Sequence, residues 1–264
     1  MSQAPSQTVK DVMDPARAAA MAAALNRAAP SGDLPPFWHH AYFWDIQPAD
    51  HLGRDGHFRT GTGLIPDLGL PRRMWAGGRL EWHASLVTGT PATRLTTLGP
   101  VTRKSGRSGA LGLVTLHHRI TQGDRLCLTE DQSLVYREDP QPGAPRPVPA
   151  QADSAPVEET RSFGAMALFR YSAVTFNGHR IHYDAAYARD VEGHAGLVVH
   201  GPILAEGLID LATRHLGPLA GFDYRALAPV VADETVTFCL AGHRAFVRGS
   251  DGRLCMDATV RPAT

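Results

Sequence analysis

The sequence predicts an α+β protein made of two halves, each ending in antiparallel strands. Three observations indicate this fold class. Runs of alternating apolar residues, separated by short turns containing Gly and Ser or Asp, close each half. A long helical pattern begins at Pro202 in the second half. A Pro-rich stretch, residues 139–156, lies between the halves and predicts an extended, semi-rigid connector.

These patterns divide the chain into three parts. Residues 14–138 form an N-terminal domain, residues 139–156 a linker, and residues 157–264 a C-terminal domain. A chain of 264 residues is long enough for two small domains. Residues 1 to about 13 are polar and lack periodicity, which predicts a mobile tail.

The first half opens with a short helix and continues into irregular chain. Asp14 and the proline after it predict a helix that ends near Arg27, because Asp caps helices and Pro suits their first turn. Residues 34–44 form a dense aromatic run, which favours core packing, with a binding-pocket wall as the alternative. Residues 45–71 are rich in Gly, Pro and Asp, which is typical of a lid or binding loop.

Strands account for most of what remains. In the first half they are predicted at residues 80–86, 92–104, 110–121 and 124–138. In the second half they are predicted at residues 161–176, 222–231, 234–242, 244–249 and 253–263. Arg72 and Arg73 precede the first of these strands. They form a solvated turn, or they bind a phosphate or carboxylate, for which the guanidinium fork is well shaped.

Polar side chains crowd together after the predicted strand 161–176. Within eight residues the chain carries Asn177, His179, Arg180, His182 and Asp184. Asp184 stands before an Ala-rich segment and is expected to cap a short helix. Neutral imidazole is the side chain best matched to proton transfer near pH 7, so His182 is the candidate general acid and base.

The start of the long helix offers a different chemical group. His200 and Gly201 precede Pro202, which suits the first helical turn. Free backbone N–H groups and the helix dipole at such a start favour an oxygen that gains negative charge. Three histidines of this region are a possible metal set, namely His179, His182 and His200. No cysteine or cluster of carboxylates completes it, so no metal is predicted.

The segment FNGHRIHYD, with GLVVHGP downstream, resembles the motif of MaoC-like (R)-specific enoyl-CoA hydratases. Asn177, His179 and Arg180 stand where that family has Asp, Asn and Pro. The family's catalytic histidine and its later His-Gly pair are kept, as His182, His200 and Gly201. The variant is most similar to a subgroup that contains mitochondrial 3-hydroxyacyl-thioester dehydratases and bacterial mesaconyl-C4-CoA hydratases.

The resemblance implies a double hot-dog fold, in which two antiparallel sheets each wrap a central helix, with a degenerate N-terminal half. It implies hydration of a short 2-enoyl-CoA, such as mesaconyl-C4-CoA to citramalyl-CoA. His182 would be the acid and base, Asn177 would orient the water, and the Gly201 N–H would bind the thioester oxygen. The residues expected to bind the rest of the substrate are Arg180, His179, His200, Arg72 and Arg73. No cofactor is expected beyond the CoA of the substrate, and the double hot-dog subunits are expected to form a homodimer.

Composition excludes some classes of protein and leaves others open. The formal net charge is zero, so a nucleic-acid partner is not expected. No apolar run is long enough to span a membrane, and three widely separated cysteines favour a reducing compartment, so a cytoplasmic protein is expected. Three alternatives remain: a dehydratase acting on acyl-carrier protein, a hot-dog thioesterase, and a non-catalytic acyl-CoA-binding module.

Overall fold

The computed structural model describes residues 4–106, 109–140 and 148–264. Three predictions fall partly outside these ranges: the start of the tail, the turn between the strands 92–104 and 110–121, and most of the Pro-rich linker. The helices are α1 (Pro15–Ala24), α2 (Ala165–Thr175), α3 (Ala185–Asp190) and α4 (Gly201–Leu216). The strands are β1 (Ser6–Asp11), β2 (Arg72–Trp82), β3 (Ala92–Gly106), β4 (Gly109–Gln122), β5 (Arg125–Arg137), β6 (Val157–Arg161), β7 (Leu219–Ala226), β8 (Val236–Ala241), β9 (Arg244–Arg248) and β10 (Leu254–Pro262).

The chain divides into two compact units. The first contains the described residues up to Trp75, Leu80–Glu138 and Arg170–His179. The second contains Ala76–Arg79, the described part of Asp139–Phe169, and Arg180–Thr264. The change of unit at residue 139 falls at the start of the Pro-rich stretch, and residues 170–179 group with the first unit. The boundaries 14–138, 139–156 and 157–264 stay a prediction about independent domains.

The first unit is built on strands in the order β1-β3-β4-β5-β2. The pairs β1/β3, β3/β4 and β4/β5 are antiparallel. In β1, Ser6 pairs with Thr97 and Asp11 with Ala92. The prediction of a mobile tail is therefore wrong for Ser6–Asp11, because a short polar strand at a sheet edge carries too little apolar periodicity to be recognised.

The helix and the aromatic run of the first unit agree with the sequence. The Asp14 carboxylate accepts the Ala16 N–H at 2.9 Å, and Pro15 occupies the first turn of α1. This capped start confirms the predicted helix. The aromatic run is buried core, which confirms the packing interpretation, and its buried members are Phe37, Trp38, Tyr42 and Phe43.

Residues 45–71 are irregular, as the composition predicts, apart from a 3-10 turn at Ala49–His51 and an isolated antiparallel bridge between Leu52 and Phe58. β2 begins at Arg72, eight residues before the predicted strand start at residue 80. The Gly77-Gly78 pair in the middle of β2 interrupts the alternation of apolar residues, so the first part of the strand was not predicted. Gly77 has a φ of 157°, and its backbone lies so close to the Tyr224 carbonyl that a Cβ would overlap it.

The second unit wraps the long helix. Its strands follow the order β7-β10-β9-β8-β6, and all neighbours are antiparallel. α4 packs against β7, β8, β9 and β10. Its apolar residues Leu204, Leu208 and Leu211 are buried, and a Cβ on Gly207 would overlap the Phe238 ring. The predicted helix at Pro202 and the close contact at Gly207 are confirmed.

Two strand predictions of the second half are corrected. Residues 165–175 form helix α2 rather than a strand, and only Val157–Arg161 before it is extended. Leu168 and Tyr171 are buried while Met166 and Phe169 are exposed, which is helical spacing. The β-branched and aromatic residues of the segment suggested a strand, but packing of this face overrides their propensity. β7 spans Leu219–Ala226 instead of residues 222–231.

Candidate active site

His182 is held in one orientation by the backbone. It ends a 3-10 turn, Arg180–His182, and is buried. Its Nδ1 lies 2.7 Å from the carbonyl oxygen of Val198. A carbonyl oxygen can only accept, so Nδ1 carries the hydrogen and Nε2 keeps its lone pair. The same two chain segments are joined by the Val198 N–H, which donates to the Ile181 carbonyl at 2.9 Å. The imidazole therefore presents a basic nitrogen in a fixed direction.

His200 and Gly201 stand beside this imidazole at the start of α4. The rings of His182 and His200 are stacked, with centroids 3.5 Å apart and planes at 18°. His200 is the N-cap residue of α4 and is completely buried. A Cβ built on Gly201 would meet no heavy atom within 4 Å, so the space over this residue is open. Amides in the first turn have no acceptor within the helix, and the Gly201 N–H is suited to bind an oxygen.

Asn177 and His179 group with the first unit. The Asn177 Oδ1 accepts the His179 N–H at 3.0 Å and so closes a tight turn. Its carbonyl oxygen is thus engaged locally, and its amide nitrogen is the group that remains to contact a ligand. The His179 ring lies 4.5 Å from the ring of His57, which the sequence did not single out.

His57 belongs to a carboxylate–imidazole pair in the 45–71 loop. Its Nδ1 lies 2.9 Å from the Asp55 Oδ2, and its N–H lies 3.1 Å from the Asp55 Oδ1. Burial, together with the nearby Arg73 and His179, lowers the pKa of His57 to about 3. Burial opposes ionisation of Asp55, yet hydrogen bonds from His57 hold the pKa of that carboxyl well below its usual range. Asp55 is therefore an anion and His57 a neutral imidazole at pH 7.

The three arginines predicted to bind substrate are placed differently from one another. Arg180 donates from Nη2 to the Asp184 carboxylate at 2.6 Å and lies over the Tyr187 ring at 4.3 Å. Arg72 and Arg73 are consecutive in β2, so their side chains leave opposite faces of the strand. Arg73 is the one whose charge acts on His57.

Asp184 has the structural role that the sequence predicted. Its Oδ1 accepts the Tyr187 N–H at 2.9 Å and caps α3. The capping interaction and the pair with Arg180 together fix the chain directly after His182. This prediction is confirmed.

Two groups of side chains among the described residues have the donors to hold a metal ion. One consists of Asp55, His57 and His179. The other consists of His39, His40 and Glu130, deep in the first unit, where Glu130 accepts from the His39 Nε2 at 2.9 Å. Sequence reasoning missed both groups. The Asp-Gly-His triplet inside a long Gly-rich loop was the signal for the first, whereas the second joins residues about ninety positions apart in the chain.

The chain matches known proteins along most of its length. The model of the family "Hydroxyacyl-thioester dehydratase type 2" matches residues 37–232. A mesaconyl-C(4)-CoA hydratase of Chloroflexus aurantiacus is 43% identical over 261 residues, which cover 96% of this chain and 89% of that protein.

Solved structures agree on the fold. HtdX of Mycobacterium tuberculosis matches with a TM-score of 0.72 at 18% identity, over 98% of this chain and all of that one. A second protein of Mycobacterium tuberculosis, described as a double hot-dog fold, matches with a TM-score of 0.59 at 14% identity, over 98% of this chain and 96% of that one. The predicted double hot-dog fold is confirmed. Among the described residues, we find no helix that combines the length and apolar character needed to span a membrane.

Proposed function

The chain belongs to the hydroxyacyl-thioester dehydratase type 2 family, and on that premise we propose that it catalyses the reversible addition of water to mesaconyl-C4-CoA, giving citramalyl-CoA. The observation that carries the proposal is the fixed tautomer of His182, whose Nδ1 donates to Val198 at 2.7 Å. The hydratase of Chloroflexus aurantiacus, 43% identical to this chain, supports the choice of substrate.

His182 is the proposed acid and base. Its Nε2 takes a proton from water while the water oxygen bonds to the β-carbon, and the electrons of the double bond move toward the thioester. The imidazolium then returns the proton to the α-carbon, so that one water is added and nothing is left on the protein. A positioned general acid and base of this kind contributes ~10²–10⁴-fold in rate.

Gly201 is the proposed binding site for the thioester oxygen. Negative charge grows on that oxygen during the reaction, and an N–H at a helix start stabilises it. The open space over Gly201 supports this role, since a ligand can approach the backbone there. Loss of one such donor costs ~10²–10³-fold in rate.

The remaining assignments concern orientation and the acyl group. Asn177 is proposed to orient the water through its amide, because its carbonyl oxygen is bound to the His179 N–H. The free carboxylate of mesaconyl-C4-CoA needs a cation, and the candidates are Arg72, Arg73 and Arg180. His179 and His200 are proposed to line the substrate site. No cofactor enters this scheme.

A thioesterase would use a carboxylate near the start of the central helix to attack or activate water at the carbonyl carbon. The first turn of α4 contains no acidic residue, which favours hydration over hydrolysis. The three cysteines are free and buried, which supports a cytoplasmic location. We also propose that two double hot-dog subunits form a homodimer.

Steady-state hydration of mesaconyl-C4-CoA and crotonyl-CoA tests the proposal. We expect a higher kcat/KM for mesaconyl-C4-CoA and a loss of ~10²–10⁴-fold in kcat for His182→Ala. His243→Ala, at an exposed turn of the same unit, is the matched control and should keep full activity. A clear preference for crotonyl-CoA would refute the substrate, and near-normal turnover of His182→Ala would refute the assigned base.

A further inference from the structure

Tyr187 belongs to the buried cluster that supports the backbone beside His182. The other fully buried members of this cluster are Ile181, Ala188 and Val198, and all of them lie in the second unit. The Val198 carbonyl accepts the Nδ1 hydrogen of His182 at 2.7 Å, and the Val198 N–H donates to the Ile181 carbonyl at 2.9 Å. A shift within the cluster would therefore move the carbonyl oxygen that fixes the tautomer of His182.

Tyr187 is held at three points. Its backbone N–H donates to the Asp184 carboxylate at 2.9 Å, and the guanidinium carbon of Arg180 lies 4.3 Å from the centre of its ring. Its hydroxyl donates to the Glu192 Oε1 at 3.4 Å. A buried tyrosine hydroxyl needs an acceptor, because burying it without one costs free energy. The contact with Glu192 thus fixes the far end of the ring, which the other two contacts do not reach.

Glu192 is a buried carboxyl group that packing alone does not explain. Its side chain keeps 1% of its surface exposed, and its Oε2 lies 4.0 Å from the Nε2 of His194. The Glu192 N–H donates to the Tyr187 carbonyl at 3.2 Å, so the two residues are joined through the backbone as well as through their side chains. Burying a carboxylate costs free energy, and an apolar side chain would fill the same space without that cost. The acceptor that it offers to the Tyr187 hydroxyl is a function that an apolar side chain lacks.

We propose that Glu192 is a positioning residue for the hydration reaction and that it acts through Tyr187 on the orientation of His182. This inference deepens the proposed function and rests on it. The carboxyl group holds the Tyr187 hydroxyl, and the ring supports the segments of Ile181 and Val198. The Val198 carbonyl then keeps the hydrogen of His182 on Nδ1 and the lone pair on Nε2. In this role Glu192 and Tyr187 exchange no proton with the substrate and do not touch it.

Removal of the tyrosine hydroxyl tests the positioning role. Tyr187→Phe keeps the ring and should lower kcat on mesaconyl-C4-CoA by ~10-fold with little change in KM, because a 1 Å error in position can cost ~10²-fold in rate. Tyr183→Phe is the matched control, since it removes a hydroxyl from an exposed ring one residue after His182, and it should keep the kcat of the wild type. A Tyr187→Phe variant with the kcat of Tyr183→Phe would overturn the proposal, as would a loss confined to KM.

Variants of the carboxyl group test whether the two side chains act as one unit. Glu192→Asp withdraws the carboxylate from the hydroxyl by one methylene and should lose ~10-fold in kcat, whereas Glu192→Gln, which keeps an acceptor at the same distance, should lose less. The double variant Tyr187→Phe/Glu192→Asp should lose about as much as Tyr187→Phe alone, and losses that multiply would overturn the proposal. If Tyr187→Phe does not fold, the two variants of Glu192 decide, and equal kcat values for them would overturn it.

The Nδ1 hydrogen of His182 gives a measurement that does not depend on turnover. In the full-length wild type, NMR should show this hydrogen on Nδ1, protected from exchange by its bond to a backbone carbonyl. Tyr187→Phe should speed its exchange with solvent, and Tyr183→Phe should leave it unchanged. An unchanged exchange rate in Tyr187→Phe would overturn the inference while hydratase activity stands. A wild type that is inactive on both thioesters, but whose His182 signal responds as expected, would instead refute the proposed function.

Discussion

Replacing Gly178 with alanine tests whether the 53–57 loop must lie against the motif. The added Cβ would be 2.8 Å from the Gly56 carbonyl oxygen, whereas ordinary contact begins at 3.4 Å. The two backbones must therefore separate by about 0.6 Å, because neither atom belongs to a flexible side chain. Either the loop moves as a unit, or the strain stays in the folded protein.

These two responses have different magnitudes. Retained strain of this kind costs ~1–3 kcal/mol, and in a chain of this size each 1 kcal/mol lowers Tm by roughly 2–4 °C. A displacement of the two backbones instead moves residues 177–179 by a fraction of an ångström, among them Asn177, which is proposed to orient the water, and a 1 Å error in position can cost ~10²-fold in rate. We expect the backbones to move apart, since the hydrogen bonds within each segment survive a small rigid shift. Gly178→Ala should then lower kcat by ~10-fold or more and Tm by less than ~4 °C.

The assay pairs thermal unfolding with hydration kinetics. Gly196→Ala is the control, because a Cβ at Gly196 meets no heavy atom within 4 Å. It should match the wild type in both measurements. If Gly178→Ala has the Tm and kcat of the wild type, the close approach of the loop to the motif contributes neither to stability nor to catalysis. If Tm falls by ~10 °C with unchanged kcat, the contact stabilises the fold only.

Three further predictions concern stability. Asp184→Ala removes the 2.9 Å cap on the Tyr187 N–H and should lower the free energy of unfolding by ~1 kcal/mol in urea titrations, most of which Asp184→Asn should recover. Gly207→Ala places a Cβ that overlaps the edge of the Phe238 ring and should cost ~1–3 kcal/mol in the same assay; an unchanged midpoint would contradict the packing of α4. Burial lowers the pKa of His39 from 6.5 to about 4, so between these values the unfolded chain binds a proton that the folded protein does not. The stability of the folded protein is therefore undiminished by this group above pH 6.5 and falls as the pH drops toward 4. Because of this group, the free energy of unfolding from urea titrations should be ~2 kcal/mol lower at pH 5 than at pH 7, and His39→Gln should reduce that difference.

The elements predicted from sequence are those whose signals are local. A capping Asp and a following Pro mark the start of α1, and a Gly-Pro pair followed by apolar residues at helical spacing marks α4. Asp184 was assigned to a cap on the same grounds. In each case the residues that decide the structure lie within one or two turns of each other. Strands β3, β4 and β5 were found from alternation, for the same reason.

The features that were missed depend on distant parts of the chain. α2 ends with Val174 and Thr175, whose propensity favours a strand, and it is a helix because Leu168 and Tyr171 pack on one buried face. The contact of Gly56 with Gly178 joins segments about 120 residues apart. Residues 45–71 have no periodic pattern that predicts the position of the loop. Only the length of the loop indicated that Asp55 and His57 could have a function.

The order of elements gives a reason why that loop exists. Each half contains a short strand, a helix, a 3-10 turn and then four strands: β1, α1 and β2–β5 in the first half, and β6, α2 and β7–β10 in the second. In the second half, α3 and α4 lie between the 3-10 turn Arg180–His182 and β7. In the first half, the 3-10 turn Trp38–Ala41 is followed by residues 42–71, which contain the short 3-10 turn Ala49–His51 but no α-helix. A segment released from forming a central helix is free to take an irregular path. In this protein that path brings the Asp55 carboxylate and the His57 imidazole beside the ring of His179.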